Sequence, residues 1–383
     1  MAFNANRHDM LKYGREYDFS KNFFENFHAL FLEIPLSANI SQMAGENTEY
    51  ADTVVAARNA YLSNIVVENC EDVFYTFQAV NSCKNIFNCV QVFDTCENIY
   101  FCLAVFHSYN IFYSRFIDTC RDVWFSTNMI GCSECMLCHD LENTSYCIEN
   151  TQYTKEAYLQ KKTEILKQKD LFDSWYLQGD TVGKNIGSKN VSGMFIKNGE
   201  NIENGYFVPI RAYNSRNIMF SGGENFYDVF DCGLESKDFY AVEGGGTYSN
   251  NVYCSSQIET CYNMFYSYYC NNCNHCLGCI GLVNQSYCIF NKQYSKEDWE
   301  VLFHKILEQM DAENLVGSFF PPKMNPFYLN DTFAGAFSRI KKEEALKLGY
   351  LWREGEVKTD IPEGAEVVKV LPPPTPLLTK EGE

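Results

Sequence analysis

Apolar positions in the first half of the chain follow a short, phase-locked pattern. A five-residue signature opens on Cys or another small or polar residue, carries Asn or Asp at its third place, and continues with two apolar residues. It reads Cys70-Glu-Asp72-Val-Phe, Cys83-Lys-Asn85-Ile-Phe, Cys96-Glu-Asn98-Ile-Tyr, Ser108-Tyr-Asn110-Ile-Phe and Cys120-Arg-Asp122-Val-Trp, with units at Cys132 and Thr144 keeping the phase. Successive starts are 13, 13, 12, 12, 12 and 12 residues apart. A period that short, sustained that long, predicts a β-solenoid. Each unit suits two short strands and two turns, so Ile86, Ile99, Ile111 and Val123 are expected to stack as a rib inside the coil. Phe87, Tyr100, Phe112 and Trp124 would stack on the opposite face, as a surface for another element or as a second packing layer.

The second half repeats the first. Signature starts return at Ile202, Ser215, Gly223, Ser236, Ser249, Cys261, Cys273 and Gln285, with an offset of 141 residues from Ser249 onward and a shortened unit near Gly222 and Gly223. The closing segments align best: Ser145-Tyr-Cys147-Ile-Glu-Asn150 against Ser286-Tyr-Cys288-Ile-Phe-Asn291. A helix is expected to cover the open end of each copy. Thr154 would cap the first, with Tyr158, Leu159, Ile165 and Leu166 behind it; Ser295 would cap the second, with Trp299, Leu302, Phe303, Ile306, Leu307 and Met310 as its apolar stripe. Phe19, Phe23, Phe27, Leu30 and Phe31 predict an amphipathic helix before Pro35, and Lys341 to Leu348 another, ended by Gly349.

The predicted fold is therefore mainly β, a duplicated short-coil solenoid with helical extensions. Residues 1–55 form an N-terminal helical extension, 56–171 the first copy with its helix, and 172–200 a linker. The second copy with its helix spans 201–312, a C-terminal extension 313–355, and an extended, charged and Pro-rich tail 356–383, containing Pro372-Pro-Pro374.

Asn and Asp at the third place tolerate tight corners, and stacked amides can bond along the column, which favours a structural ladder over a ligand site. Cys70, Cys83, Cys96, Cys120 and Cys261 read as small core residues, because Ser replaces them at Ser108, Ser215, Ser236 and Ser249, a swap that a metal ligand would not tolerate. The clusters that close each copy stand apart. Cys132, Cys135, Cys138 and Cys147, and again Cys273, Cys276, Cys279 and Cys288, have the number and spacing of ligands for a structural zinc ion. Stacking alone accounts for half of that pattern, since Cys147 follows Cys135, and Cys288 follows Cys276, by one coil. Both readings stay open.

No catalytic constellation is visible. His139 and His275 occupy different positions in the two copies, His107 has no identifiable nucleophile beside it, and Gly244 to Gly246 complete no phosphate-binding loop. The net charge of −18, with 49 acidic residues against 31 Lys and Arg, argues against nucleic acid and acidic membrane surfaces as partners. No run of about 18 apolar residues predicts a membrane span. The polar N-terminus suggests folding in the cytoplasm, where the 18 cysteines stay reduced.

The segment Cys276-Leu-Gly-Cys279 through Ser286-Tyr-Cys288-Ile-Phe-Asn-Lys-Gln-Tyr294-Ser-Lys-Glu-Asp resembles uncharacterised cysteine-rich repeat proteins of candidate-phyla bacteria and large phages. The resemblance extends to Asn325-Pro-Phe-Tyr and to Lys342 through Trp352, covering roughly residues 40–355. Many members carry a further cysteine-containing module that has no counterpart here. The resemblance implies no activity and transfers no functional residue; its phage members suggest a phage or virus particle as a setting.

Three functions follow as expectations. The first is a non-enzymatic structural or interaction scaffold with protein partners, self-assembling or built into a particle. The second is a zinc-dependent regulatory or binding module. The third is a carbohydrate-binding or carbohydrate-cleaving solenoid using Asp72, Asp122, Asp238 or Glu134.

Overall fold

The computed structural model describes residues 9–36, 41–42, 45–168, 171, 185, 188, 191–196, 201–203, 205–208, 237–240, 248–332 and 340–355. The expected units at Ser215 and Gly223, Ser236 at the head of its unit, Cys232, the glycines 244–246 and the tail 356–383 lie outside these residues. The chain forms two compact units, residues 1–168 with 179–319 and residues 169–178 with 320–383.

The first copy is a β-solenoid with two strands per coil. Strands Asp52–Val55, Asn64–Val67, Phe77–Val80, Val90–Phe93, Leu103–Phe106, Arg115–Asp118 and Thr127–Ile130 pair in parallel as one sheet. Strands Arg58–Tyr61, Glu71–Phe74, Lys84–Phe87, Glu97–Tyr100, Tyr109–Phe112, Arg121–Trp124, Ser133–Met136 and Ser145–Ile148 form the other. The winding begins before residue 56, where the first copy was expected to start: Ser41–Gln42 already pairs with Val54 and Val55, and Glu46 with Arg58.

A three-residue rhythm underlies each coil. One residue is left-handed, the next faces the core, and the third faces out. Thr53, Ala56, Asn59, Leu62 and Ile65 have φ between 45° and 55°, and the residues that follow them, Val54, Ala57, Ala60, Ser63 and Val66, are all buried. Four such trios make a 12-residue coil with four inward columns. The 13-residue coils carry two successive left-handed residues at one corner, as at Glu68 with Asn69, Asn81 with Ser82, and Asp94 with Thr95.

Two of the columns are aliphatic. Val54, Val66, Ala79, Val92, Val105, Ile117 and Met129 stack on one side, and Ala60, Val73, Ile86, Ile99, Ile111 and Val123 on the other, all at most 2% exposed. The expected rib is thus the second column, in register from Ile86 to Val123. Full burial of each Val, Ile or Met side chain in them contributes about 1.5–3 kcal/mol. The other two columns hold Cys, Ser, Thr and Ala.

The second copy repeats this geometry. Lys237–Tyr240, Asn250–Tyr253, Tyr262–Phe265, Asn274–Leu277 and Ser286–Ile289 form a parallel sheet. Bridges Ser256 to Tyr268 to Ile280 trace the opposite side. The stretch read as a linker, 172–200, contains strand Gly193–Ile196, which pairs in parallel with Gly205–Val208. Solenoid-type pairing therefore occurs before Ile202.

Both copies end in a two-residue return strand, Thr151–Gln152 and Lys292–Gln293, antiparallel to the last coil. Helices α1 (Phe23–Phe31), α2 (Lys155–Ile165), α3 (Lys296–Ala312) and α4 (Lys342–Lys347) complete the elements described below. Thr154 and Ser295 cap α2 and α3, as their sequences predict. The two helices pack against the last parallel strand of each copy, as expected, and reach back over outward-facing side chains of earlier coils, while the return strands line the sheet edge. Tyr158 is fully buried, but Leu159 is 45% exposed and takes no part in the contact.

Helix α1 begins at Phe23, behind a reciprocal Asn22–Glu25 capping box, so Phe19 precedes it. The N-terminal segment packs on the second copy. Arg15 N–H donates to Phe290 O at 3.1 Å, and the Asn291 side-chain amide donates to Met10 O at 3.2 Å. A Cβ on Gly14 would lie 2.5 Å from Asn291 O, so only glycine permits this approach. In the other unit, α4 closes with Gly349 at φ 92°, Tyr350 N–H bonding Ala345 O and Gly349 N–H bonding Leu346 O, a Schellman motif.

Candidate functional site: inner thiol columns and outer ladders

The inward Cys and Ser columns have a shared task. At most corners, the heteroatom accepts the backbone N–H of its equivalent one coil later. Cys83 N–H bonds Cys70 Sγ at 3.4 Å, Ser108 N–H bonds Cys96 Sγ at 3.4 Å, Cys120 N–H bonds Ser108 Oγ at 3.0 Å, and Cys132 N–H bonds Cys120 Sγ at 3.3 Å. The fourth column does the same through Ser63, Thr76, Cys89, Cys102, Ser114 and Ser126. The side chains in turn donate to carbonyls, as Cys96 does to Phe93 O at 3.2 Å. Cys and Ser interchange because both supply a small acceptor for a buried N–H. Cys89 and Cys102, silent in the five-residue signature, belong to this column; the signal that finds them is the three-residue rhythm.

One prediction separates hydrogen bonding from mere size. Cys96→Ser keeps the acceptor and is expected to cost about 1 kcal/mol or less, whereas Cys96→Val strands the Ser108 N–H and is expected to cost about 1–3 kcal/mol. Chemical denaturation of both variants checks the order.

The eight cysteines with zinc-like spacing sit in these columns. Cys132, Cys135 and Cys138 line three successive sides of one coil, and Cys147 lies directly over Cys135. In the second copy Cys270, Cys273, Cys276 and Cys279 occupy all four sides of one coil, with Cys288 in register with Cys276. Each thiol is held against its own wall: Cys132 on Ile130 O, Cys135 on Ser133 O, Cys138 on Met136 O, Cys273 on Asn271 O, Cys276 on Asn274 O and Cys288 on Ser286 O. Among the described residues, no group of three or more His, Cys, Asp or Glu side chains could hold a metal ion.

All 17 described cysteines are free and buried. Burial pushes the thiols of Cys102, Cys270 and Cys279 up, and that of Cys254 up to about 11. The neighbouring thiols of Cys120 and Cys135 draw Cys132 down, and those of Cys261, Cys270 and Cys276 do the same to Cys273.

The outer face of the second sheet carries two ladders. In the first, each Asn amide donates to the next coil. One run goes from Asn47 to Asn59 to Asp72, at 2.9 and 2.7 Å; another goes from Asn85 through Asn98 and Asn110 to Asp122, at 2.9, 2.9 and 2.7 Å. A carboxylate only accepts, so each run stops at an Asp. Asp72→Asn supplies the missing donor toward Asn85 and is expected to stabilise the protein by about 0.5–1.5 kcal/mol. A rise in thermal midpoint checks it; a fall would show that the charge of Asp72 matters more than the ladder.

The second ladder is aromatic. Ring centroids step from Tyr50 to Tyr61, Tyr75, Phe87, Tyr100, Phe112 and Trp124 at 5.7, 5.8, 5.4, 6.3, 5.4 and 4.0 Å. Beside it Phe101, Tyr113 and Phe125 stack at 5.2 and 4.9 Å. Its C-terminal end lies under α2, where Lys162 sits over the Trp124 ring at 5.4 Å. In the second copy Phe303 of α3 packs on Phe265 at 4.9 Å, and Trp299 donates to Cys288 O. The outward aromatic column is thus a packing layer for helices at one end and an open surface at the other.

The same helix contact is built differently in the two copies. Where the second has Phe303, Trp299, His275 and Asn263, the first has Lys162, Tyr158, Glu134 and Asp122. Burial pushes Glu134 up and Lys162 down despite their 3.7 Å ion pair. A raised carboxylate favours the folded state only while protonated, so its contribution falls as pH rises from below the ordinary Glu value through the raised one. Glu134→Gln is expected to flatten the pH dependence of stability in that acidic window, measured by thermal unfolding from pH 4 to pH 7.

Among the described residues, the histidines form no shared site. His139 is exposed beside Asp140, His107 lies between Asp94 and Asp118, and His275 stacks on Tyr287 and is pushed down by burial. A hollow of about 150 Å³ beside Met10, Leu11, Gly281 and Leu282 is smaller than the roughly 300–1,000 Å³ of small-molecule sites. No protein-family model, curated protein or solved structure matches the chain.

Proposed function

We propose that this protein is a non-enzymatic interaction scaffold, a rigid solenoid that presents an aromatic strip to protein partners. The observation that carries this reading is the open end of the aromatic ladder. Tyr50, Tyr61, Leu62 and Tyr75 are 71, 40, 56 and 48% exposed, in continuity with rings that helices of the same chain cover further along. Clustered exposed apolar side chains of this kind mark interaction sites, and tyrosine suits them because it is apolar on its faces and polar at its tip. The inward residues are committed to stacking and backbone hydrogen bonds, which leaves recognition to the outer faces.

Three of the four carboxylates raised as candidates for sugar cleavage, Asp72, Asp122 and Glu134, do not favour that alternative. Asp72 and Asp122 lie four coils apart, roughly 19 Å at strand spacing, against the roughly 5–9.5 Å of a glycosidase pair. Asp122 and Glu134 are on adjacent coils but face Lys162 beneath α2. The test places a photo-crosslinking residue at Tyr61 and, as a control, at Glu97 on the same sheet. Protein adducts from position 61 alone support the reading; no adduct, or equal yields from both positions, removes it. A phage or virus particle is proposed as the setting on the resemblance alone, and peptides of this chain in purified particles would support it.

A further inference from the structure

We infer that the open tyrosine end of the ladder is a receptor for a polyproline segment, and that its occupant is the Val367–Lys380 stretch of a second copy of this chain. The inference rests on the scaffold reading and names the partner of its surface. The covered part of the ladder and its uncovered part are built differently. Under and near α2 the rings are Phe112 and Trp124, stacked within 24° of parallel, which presents a smooth apolar surface for a helix. At the open end the residues are Tyr50, Tyr61 and Tyr75, and consecutive planes cross at 65°, 86° and, onto Phe87, 75°. Crossed rings leave clefts between them, and their hydroxyls are available as donors.

Those two properties fit a polyproline II ligand. Such a helix has no internal hydrogen bonds, so its carbonyls need external donors, and its pyrrolidine rings pack into slots between aromatic side chains. Tyr50 and Tyr75 lie two coils apart, roughly 9.6 Å along the stack at strand spacing, which is close to one polyproline turn of roughly 9 Å. The chain carries such a ligand: Leu371-Pro372-Pro373-Pro374-Thr375-Pro376-Leu377, in which Pro373 and Pro376 are one turn apart. Charge agrees as well. Val367–Lys380 contains Lys369 and Lys380 and no acidic residue, whereas exposed Glu46 and Glu49 flank Tyr50. Proline pre-orders the ligand, so little entropy is lost on binding.

The test uses the full chain and a fluorescent Val367–Lys380 peptide. Expected results are saturable peptide binding, weakened at least about tenfold by Tyr61→Ser with Tyr75→Ser and by replacing the four prolines of the peptide with Ala. Full-length protein is expected to associate with rising concentration in sedimentation, and P372A/P373A/P374A/P376A in the full chain to abolish that association. Circular dichroism confirms that the tyrosine variant still folds; if it does not, Tyr50→Ser, at the most exposed ring, replaces it. Peptide binding that ignores the tyrosine substitutions, or a protein monomeric at all concentrations, overturns the inference. A crosslink from position 61 to a different protein, with no peptide binding, overturns it too while leaving the scaffold reading intact.

Discussion

Phe23→Ala is expected to destabilise the protein by about 3–5 kcal/mol, although Phe23 lies more than two hundred residues from the rings it touches. Its side chain is fully buried, 5.0 Å from Tyr266 and 5.3 Å from Phe290 between ring centroids. The rest of the N-terminal segment follows this anchor: Tyr17 reaches Gln309 and Phe290, and Glu16 accepts from Lys292 and Tyr294. Truncation to Ala empties the slot between the two rings, with a transfer cost and a cavity cost that add. Denaturant unfolding should show the loss, and hydrogen exchange should show residues 9–34 opening before the coils. Phe19→Ala, at a position 49% exposed, should stay within about 0.5 kcal/mol of the parent. Unchanged stability and protection in Phe23→Ala would mean that the segment is not held by this contact.

Asn98→Val should cost about 3 kcal/mol, and Asn98→Gly about 1–2 kcal/mol. Asn98 has φ of 59°, accepts from Asn85 and donates to Asn110, each at 2.9 Å. A β-branched residue in the left-handed region brings about 1–2 kcal/mol of strain, and each lost hydrogen bond about 1 kcal/mol. Glycine removes the strain but leaves the ladder broken. The ordering of urea midpoints, parent above Gly above Val at constant slope, checks both contributions. Equal costs for the two variants would assign the whole effect to the ladder and none to the backbone.

The aliphatic rib and the Asn column could be read from the spacing of Ile86, Ile99 and Ile111 and of Asn85, Asn98 and Asn110, because stacking places equivalent residues of successive coils in register. The meaning of cysteine was only half legible. Interchange with Ser pointed to core packing for Cys96 and Cys120. It did not show that they accept the N–H of the next coil, because that bond joins side chain to backbone and leaves no constraint on residue type beyond a small heteroatom. The zinc-like spacing of Cys132, Cys135 and Cys138 is, in the fold, the three-residue rhythm of a coil whose successive sides happen to carry the same residue. The same rhythm in Cys270, Cys273, Cys276 and Cys279 distributes four thiols to four walls.

The sequence by itself determined the coil: its length, its inward and outward residues, and the duplication, since all of these repeat with the local period and concern residues one coil apart. Only the tertiary structure decided how the two copies differ. At equivalent places Phe290 is buried beneath the N-terminal segment and Glu149 is exposed to solvent. Lys162 rests on Trp124 where Phe303 rests on Phe265. These contacts join parts of the chain with no common period, such as Met10 with Asn291, and their stability comes from shape and burial at a meeting of distant segments. Periodicity carries no information about such meetings, which is why the open tyrosine end of the ladder became visible as a surface only once the rest of the ladder was seen to be covered.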